Sequence, residues 1–238
     1  MATRTVHLCS LLLLLVAQSQ SPVQATVVFS TFGPGLGYDP TVYMPVNFYT
    51  TPEIIGTQLA FAFDVAGTRD LPLQAVELAA SWDGTKENAR FTLHGDAAGI
   101  PAEVPLAVLG DNPPALPRYP GIGVLTLHAP APVTLAHGER YWLSIAPASL
   151  DASIRADDFV MLWLSSPERT VIQTARNSFG GGPWEPWFTP AFDWSAPAFR
   201  VLATETPEPT SLTLLLVAVP AVAIARRQVS RRRIAKMP

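Results

Sequence analysis

Apolar and polar residues alternate with a period of two through much of the chain between residues 26 and 204. Leu59, Phe61, Phe63 and Val65 fall on one face while Ala60, Ala62 and Asp64 fall on the other. Val76, Leu78, Ala80 and Trp82 oppose Glu77, Ser81 and Asp83 in the same way. This spacing predicts strands, because successive side chains of an extended chain point to opposite faces. The second run, residues 73–82, is also rich in Ala and Leu and is compatible with a short helix. Strand patterns recur at residues 26–32, 89–94, 122–128, 140–146, 159–164 and 197–203. Asp83-Gly84 and His137-Gly138 stand between such runs, where a tight turn needs a residue that accepts positive φ. Residues 101–121 hold six prolines and read as a long surface loop. Many short strands separated by turn residues predict an all-β domain, an antiparallel β-sandwich or jelly roll.

The two ends break this alternation with continuous apolar runs. Residues 1–25 carry one cation, Arg4, then an apolar stretch over 8–17, then Val23-Gln24-Ala25 with small residues where a signal peptidase reads. That order predicts a secretory signal peptide cleaved at Ala25, since about ten residues of helix rise only about 15 Å, half of a hydrocarbon core. At the other end Thr206-Pro207-Glu208-Pro209 precedes fifteen uncharged residues, 211–225, and then Arg226, Arg227, Arg231, Arg232, Arg233 and Lys236. The prolines make an extended segment that an enzyme can grip, the apolar run enters the bilayer as a short anchor helix, and the arginines stop transfer and stay cytoplasmic. A run of this length spans about 22 Å and is interrupted by Pro220, which suits a temporary membrane stop better than a permanent span. An ordinary tail anchor is the alternative. The chain thus divides into a signal peptide at 1–25, an exported β-sandwich domain at 26–204, and a sorting and anchor segment at 205–238. Within the last, the motif occupies 207–209, the apolar run 211–225 and the basic tail 226–236.

Composition sharpens the picture in three ways. Proline, at 24 of 238 residues, is about twice its usual ~5% and disfavours a helical bundle. Cys9 is the single cysteine and leaves with the signal peptide, so the exported domain has neither a disulfide nor a thiolate metal site. The overall charge of −3 hides an acidic domain, because residues 26–204 contain nine basic side chains against seventeen acids. That balance excludes the basic face that nucleic acid requires, and disfavours polybasic adhesion to a membrane surface.

Candidate chemistry is sparse. His94, His128 and His137 remain after signal cleavage, and no two of them have ligand spacing. His94 and His128 each end a strand pattern and are candidate neighbours; His137 before Gly138 reads as a turn residue. Asp151, Asp157 and Asp158 offer hard oxygens of the kind calcium takes, but without EF-hand spacing, and a solvated loop is the plainer reading. No Gly-x-Ser-x-Gly elbow occurs, and Gly180-Gly181-Gly182 lacks the following Lys-Ser/Thr of a phosphate cradle. The sequence therefore assigns no catalytic residue, no cofactor and no metal, and predicts a protein that is not an enzyme. A secreted hydrolase is the weakest alternative, requiring a converging carboxylate pair that the sequence cannot select. Trp184, Trp187, Phe188 and Trp194 form the most suggestive group. Exposed indoles in a sandwich loop would stack on sugars, with Glu185 and Asp193 accepting hydroxyl bonds, which defines a carbohydrate-binding alternative on Trp184, Trp187 and Trp194. The competing expectation is that Trp184 and its neighbours fold back as a plug at one end of the sandwich.

The combination of Pro207-Glu208-Pro209, apolar run and arginine cluster, covering residues 207–233, resembles the PEP-CTERM sorting signal of Gram-negative, exopolysaccharide-producing bacteria. The resemblance implies recognition and cutting by an exosortase, after export and removal of the signal peptide by signal peptidase. It implies an inner-membrane intermediate with the domain in the periplasm, followed by the cell surface or the exopolysaccharide matrix of a biofilm. A second resemblance spans residues 27–203 with gaps. Val28-Phe29-Ser30-Thr31-Phe32-Gly33-Pro34-Gly35, Leu59-Ala60-Phe61-Ala62-Phe63, Gly138-Glu139-Arg140-Tyr141-Trp142-Leu143 and the closing Trp194 and Pro197-Ala198-Phe199-Arg200-Val201 are similar to the choice-of-anchor R domain. Pro183-Trp184-Glu185-Pro186-Trp187 looks like an elaboration of the simpler Gly-Trp turn near that domain's end. This implies an exported β-domain ahead of a C-terminal anchor, with a structural or adhesive role and no activity.

Overall fold

Alternation becomes strand along nearly the whole central region. The computed structural model of the chain describes residues 24–50, 54–83, 89–111, 116–148, 159–164, 173–178, 183–187 and 196–205. Its strands are β1 Gln24–Ser30, β2 Asp39–Thr50, β3 Ile54–Asp64, β4 Leu71–Asp83, β5 Arg90–Ala97, β6 Ile100–Pro101 and β7 Ala107–Asp111. They continue with β8 Gly123–Leu127, β9 Thr134–Leu135, β10 Arg140–Ala146, β11 Phe159–Leu164, β12 Thr174–Ser178, β13 Glu185–Pro186 and β14 Phe199–Glu205. The described helical structure is one 3-10 turn, Pro34–Leu36. These strands belong to a compact unit spanning Ala25–Thr204. No helix among the described residues is long and apolar enough to cross a membrane. The signal segment up to residue 23 and the apolar run at 211–225 lie outside the described residues.

The fold is all-β. The hydrogen-bonded order runs β1-β14-β4-β11-β2-β3-β10-β5-β6, with β8 and β9 on the free edge of β4, β7 on β5, and β12 and β13 beyond β3. All registered strand pairs are antiparallel. The order passes from one layer to the other through β2, whose residues up to Asn47 pair with β11 while Phe48, Tyr49 and Thr50 pair with β3. One core fills the space between the layers. Phe61 and Phe63 of β3, Leu78 and Trp82 of β4, Phe91 and Leu93 of β5, Leu143 and Ile145 of β10, and Phe199 and Val201 of β14 all contribute to it. Each such side chain stabilises the fold by about 1.5 to 3 kcal/mol relative to exposure.

Residues 73–82 are strand, and the helix alternative is overturned. In β4 the central position wins over helix propensity, because Leu78 faces the main core while Ala79 packs against Ala198 on the opposite face. Arg200 on β14 lies opposite Glu77 and donates from Nε to its carboxylate at 2.6 Å.

One expectation is corrected. Residues 101–121 are not one irregular loop, since β7 pairs along β5 from Arg90↔Asp111 to Leu93↔Ala107. The seven residues between Pro105 and Pro113 leave room for a five-residue strand. After them, Pro117 and Tyr119 bond to the backbone of Trp82, so this stretch too is tied to β4. Strand β2, for which no element is expected from the sequence, contains Pro40 and Pro45. Its first half has a single strand partner, β11, and proline is tolerated where one edge of the backbone has no ladder to complete. His137-Gly138 forms the expected turn, with Gly138 at φ +74°.

Candidate functional site

The residues of the sorting reading, Pro207, Glu208, Pro209, Arg226, Arg227, Arg231, Arg232 and Arg233, lie outside the described residues, as do Asp151, Asp157, Asp158, Phe188, Asp193 and Trp194. β14 ends at Glu205, so Pro207 follows the last strand by two residues. Ala25, the expected cleavage position, is exposed and is the second residue of β1.

Among the described residues the densest polar and aromatic cluster is on the outer face of the β3-β10-β5 layer. It follows from the same alternation that builds the core. On β10, Tyr141, Leu143 and Ile145 point inward, so Trp142 and Ser144 point outward. On β3 the outward positions are Ala60 and Ala62, and on β12 the matching position is Ala175. Three alanines in register leave a shallow trough, and the Trp184 indole fills it beside Trp142.

Trp184 is 7% exposed, whereas stacking on a sugar asks for an exposed ring; the indole covers an outer sheet face beside Trp142. Trp187 is half-buried against the main core. Its N–H donates to the Thr174 carbonyl at 2.9 Å, and the Thr174 hydroxyl donates back to the Trp187 carbonyl. Glu185, exposed, lies 3.9 Å from Arg176.

His94 lies against Trp184, ring centroids 5.8 Å apart at 76°. Its Nδ1–H donates to the Ala102 carbonyl at 2.8 Å, and since a carbonyl only accepts, Nε2 carries the lone pair and takes the Ser144 hydroxyl proton at 3.0 Å. His94 and Ser144 are both buried. Burial pushes the His94 imidazole below its ordinary value, and the Ala102 carbonyl opposes that shift. Next to this pair, Trp142 Nε1 donates to Asp96 at 2.8 Å and the Gly99 N–H donates to the other carboxylate oxygen at 3.0 Å. A serine hydroxyl on an oriented imidazole is the arrangement of a nucleophile and its base. Here it is closed over by Trp184.

At the rim of the face, Arg140 grips Asp64 through Nε at 2.8 Å and reaches Gln173 at 2.7 Å, and Gln173 donates to the Gly99 carbonyl. The guanidinium holds the Asp64 carboxyl below the usual range. The Asp70 carboxyl is also pushed down, first by the His137 main-chain N–H. Both shifts favour the ionised form, opposite to what a general acid requires.

The expected closeness of His94 and His128 is not found. His94 is on β5, whereas His128 follows β8 on the edge of β4 and bonds the Gln74 carbonyl at 3.0 Å. No three of His, Cys, Asp and Glu converge among the described residues. The Trp142-Ser144-His94 grouping was missed at the level of sequence although the period of two places all three on one face. No local pattern says where Trp184 lands. No family model, no curated protein and no solved structure matches the chain.

Proposed function

We propose that this chain is an exported structural or adhesive protein of a Gram-negative cell surface or exopolysaccharide matrix, delivered by a PEP-CTERM-like sorting signal. The observation that carries the reading is the order of Pro207-Glu208-Pro209, fifteen uncharged residues and the arginine cluster. Signal peptidase removes residues 1–25, the segment 211–225 holds the chain in the inner membrane, and Arg226, Arg227, Arg231, Arg232 and Arg233 stay in the cytoplasm. The β-domain waits in the periplasm until an exosortase-like enzyme acts at the motif. Two features support the scheme. The described strand β14 runs to Glu205, so the β-domain reaches to within two residues of Pro207 in the sequence. The domain also has no cysteine and depends on burial alone, so its stability is independent of the redox state of the compartment.

Replacing Pro207, Glu208 and Pro209 by alanine in the native host tests the reading. The expected outcome is accumulation of signal-cleaved chain with its basic tail in the inner-membrane fraction. Unchanged release of the triple variant would contradict it.

A further inference from the structure

We propose that residues 183–187 are a proton-released cover: protonation of His94 beside the Trp184 indole loosens this strap and opens the outer face of the β3-β10-β5 layer. The inference rests on the β-domain and is independent of the sorting reading.

The geometry carries it. The strap meets the sheet through the β12-β13 pairs Ala175↔Pro186 and Arg176↔Glu185 and the Thr174–Trp187 bonds, and Trp187 packs against the main core. The Trp184 ring lies in the alanine trough with His94 as its neighbour. The neutral imidazole satisfies both nitrogens, giving to Ala102 and taking from Ser144. A second ring proton converts Nε2 into a donor. The Ser144 hydroxyl must then turn to accept, and its own hydrogen, on a residue 2% exposed, loses the acceptor it had. The new charge is also shut away from water, since His94 is buried beside the Trp184 indole.

Among the described residues no carboxylate bonds the His94 ring, whose partners are the Ala102 carbonyl and the Ser144 hydroxyl. On β5, Asp96 is occupied by Trp142 and Gly99, and Arg90 is paired with Asp111 of β7 at 2.8 Å. On β10 and β3, Arg140 is paired with Asp64. On the strap and β12, Glu185 faces Arg176. Glu103, next to Ala102, is exposed. Opening the strap hydrates the imidazolium, so the open form binds the proton more tightly than the closed one. Linkage fixes the sign: the closed form is fully favoured above the ordinary histidine value of 6.5 and is weakened as pH falls below it.

Hydrogen exchange of the full-length chain, read by mass spectrometry on peptides covering 183–187 at about pH 7.5 and pH 5 and corrected for intrinsic rates, tests the proposal. Protection of the Trp187 amide is expected at the higher pH and its loss at the lower, while β10 amides stay protected. His94→Gln is expected to abolish the difference between the two conditions. Equal protection of the wild type at both pH values, or the same loss in His94→Gln, would overturn the proposal. If His94→Gln fails to fold, the wild-type NMR titration decides. The His94 ring proton and the Trp184 indole N–H moving together supports the cover; His94 titrating while Trp184 stays fixed rejects it.

Discussion

Thr31 is 3% exposed and its hydroxyl spans two main-chain groups of the incoming β14, donating to the Pro197 carbonyl at 2.6 Å and accepting from the Phe199 N–H at 2.9 Å. Removing it strands both partners in a buried seam. Thr31→Val, close in shape, is expected to lower unfolding free energy by about 2 to 3 kcal/mol in a denaturant titration, whereas Thr31→Ser loses about 1 kcal/mol or less. Trp142 is the corresponding case on the outer face. Its ring is fully buried and its Nε1 bonds Asp96. Trp142→Phe keeps most of the ring and removes that donor, at an expected cost of about 1 to 2 kcal/mol in the same titration. A cost indistinguishable from zero would mean that water takes over at Asp96.

At the scale of elements, the β5-β6 hairpin turns through Ala98 at φ +57° and Gly99 at φ +87°. Positive φ at both central positions is the type I′ geometry, which Asn-Gly satisfies best and which alanine resists. Ala98→Asn is therefore expected to raise the melting temperature, by up to about 1 kcal/mol of stability. The trough under the strap makes the opposite prediction for Ala62→Leu. A larger side chain there collides with the Trp184 site, costing about 1 to 3 kcal/mol and freeing the 183–187 amides to exchange while β10 stays protected. These elements also explain what the sequence could and could not disclose. β10 and β11 are legible to the residue because short, mostly apolar runs end at clear breakers. β2 was hidden by Pro40 and Pro45, which local rules read as interruptions and which a half-paired strand tolerates. The β5-β6 turn was hidden because Ala-Gly carries no turn signal of its own; the pairing of Ala97 with Ile100 imposes it.

At the scale of the whole molecule, acid acts on the domain in two separated windows. His94 withdraws support as pH falls below 6.5, since its folded-state value is depressed and the unfolded chain binds the proton first. Asp64 and Asp70, also depressed, contribute stability above their ordinary 3.8 that is lost as pH falls through the lowered values, and both are exposed enough to make that second loss small. A melting-temperature profile from pH 8 to 3 is expected to fall first near the histidine range, and His94→Gln to remove that first fall. The outer-face site was only half legible: alternation assigns Trp142, Ser144 and His94 to one face, but the partner that buries them arrives from Trp184, 42 residues further along the chain than Trp142 and beyond any local period. The proposed sorting segment has the reverse character: its reading rests on the linear order of motif, apolar run and cations in the sequence. The central claim is that this order directs processing. Its most direct test is the intact mass of the protein recovered from its native host with and without an active exosortase. Loss of residues 1–25 in both hosts, and of the arginine tail only where the enzyme is active, is the predicted result. An arginine tail that persists in both would contradict the account and leave a membrane-anchored β-domain.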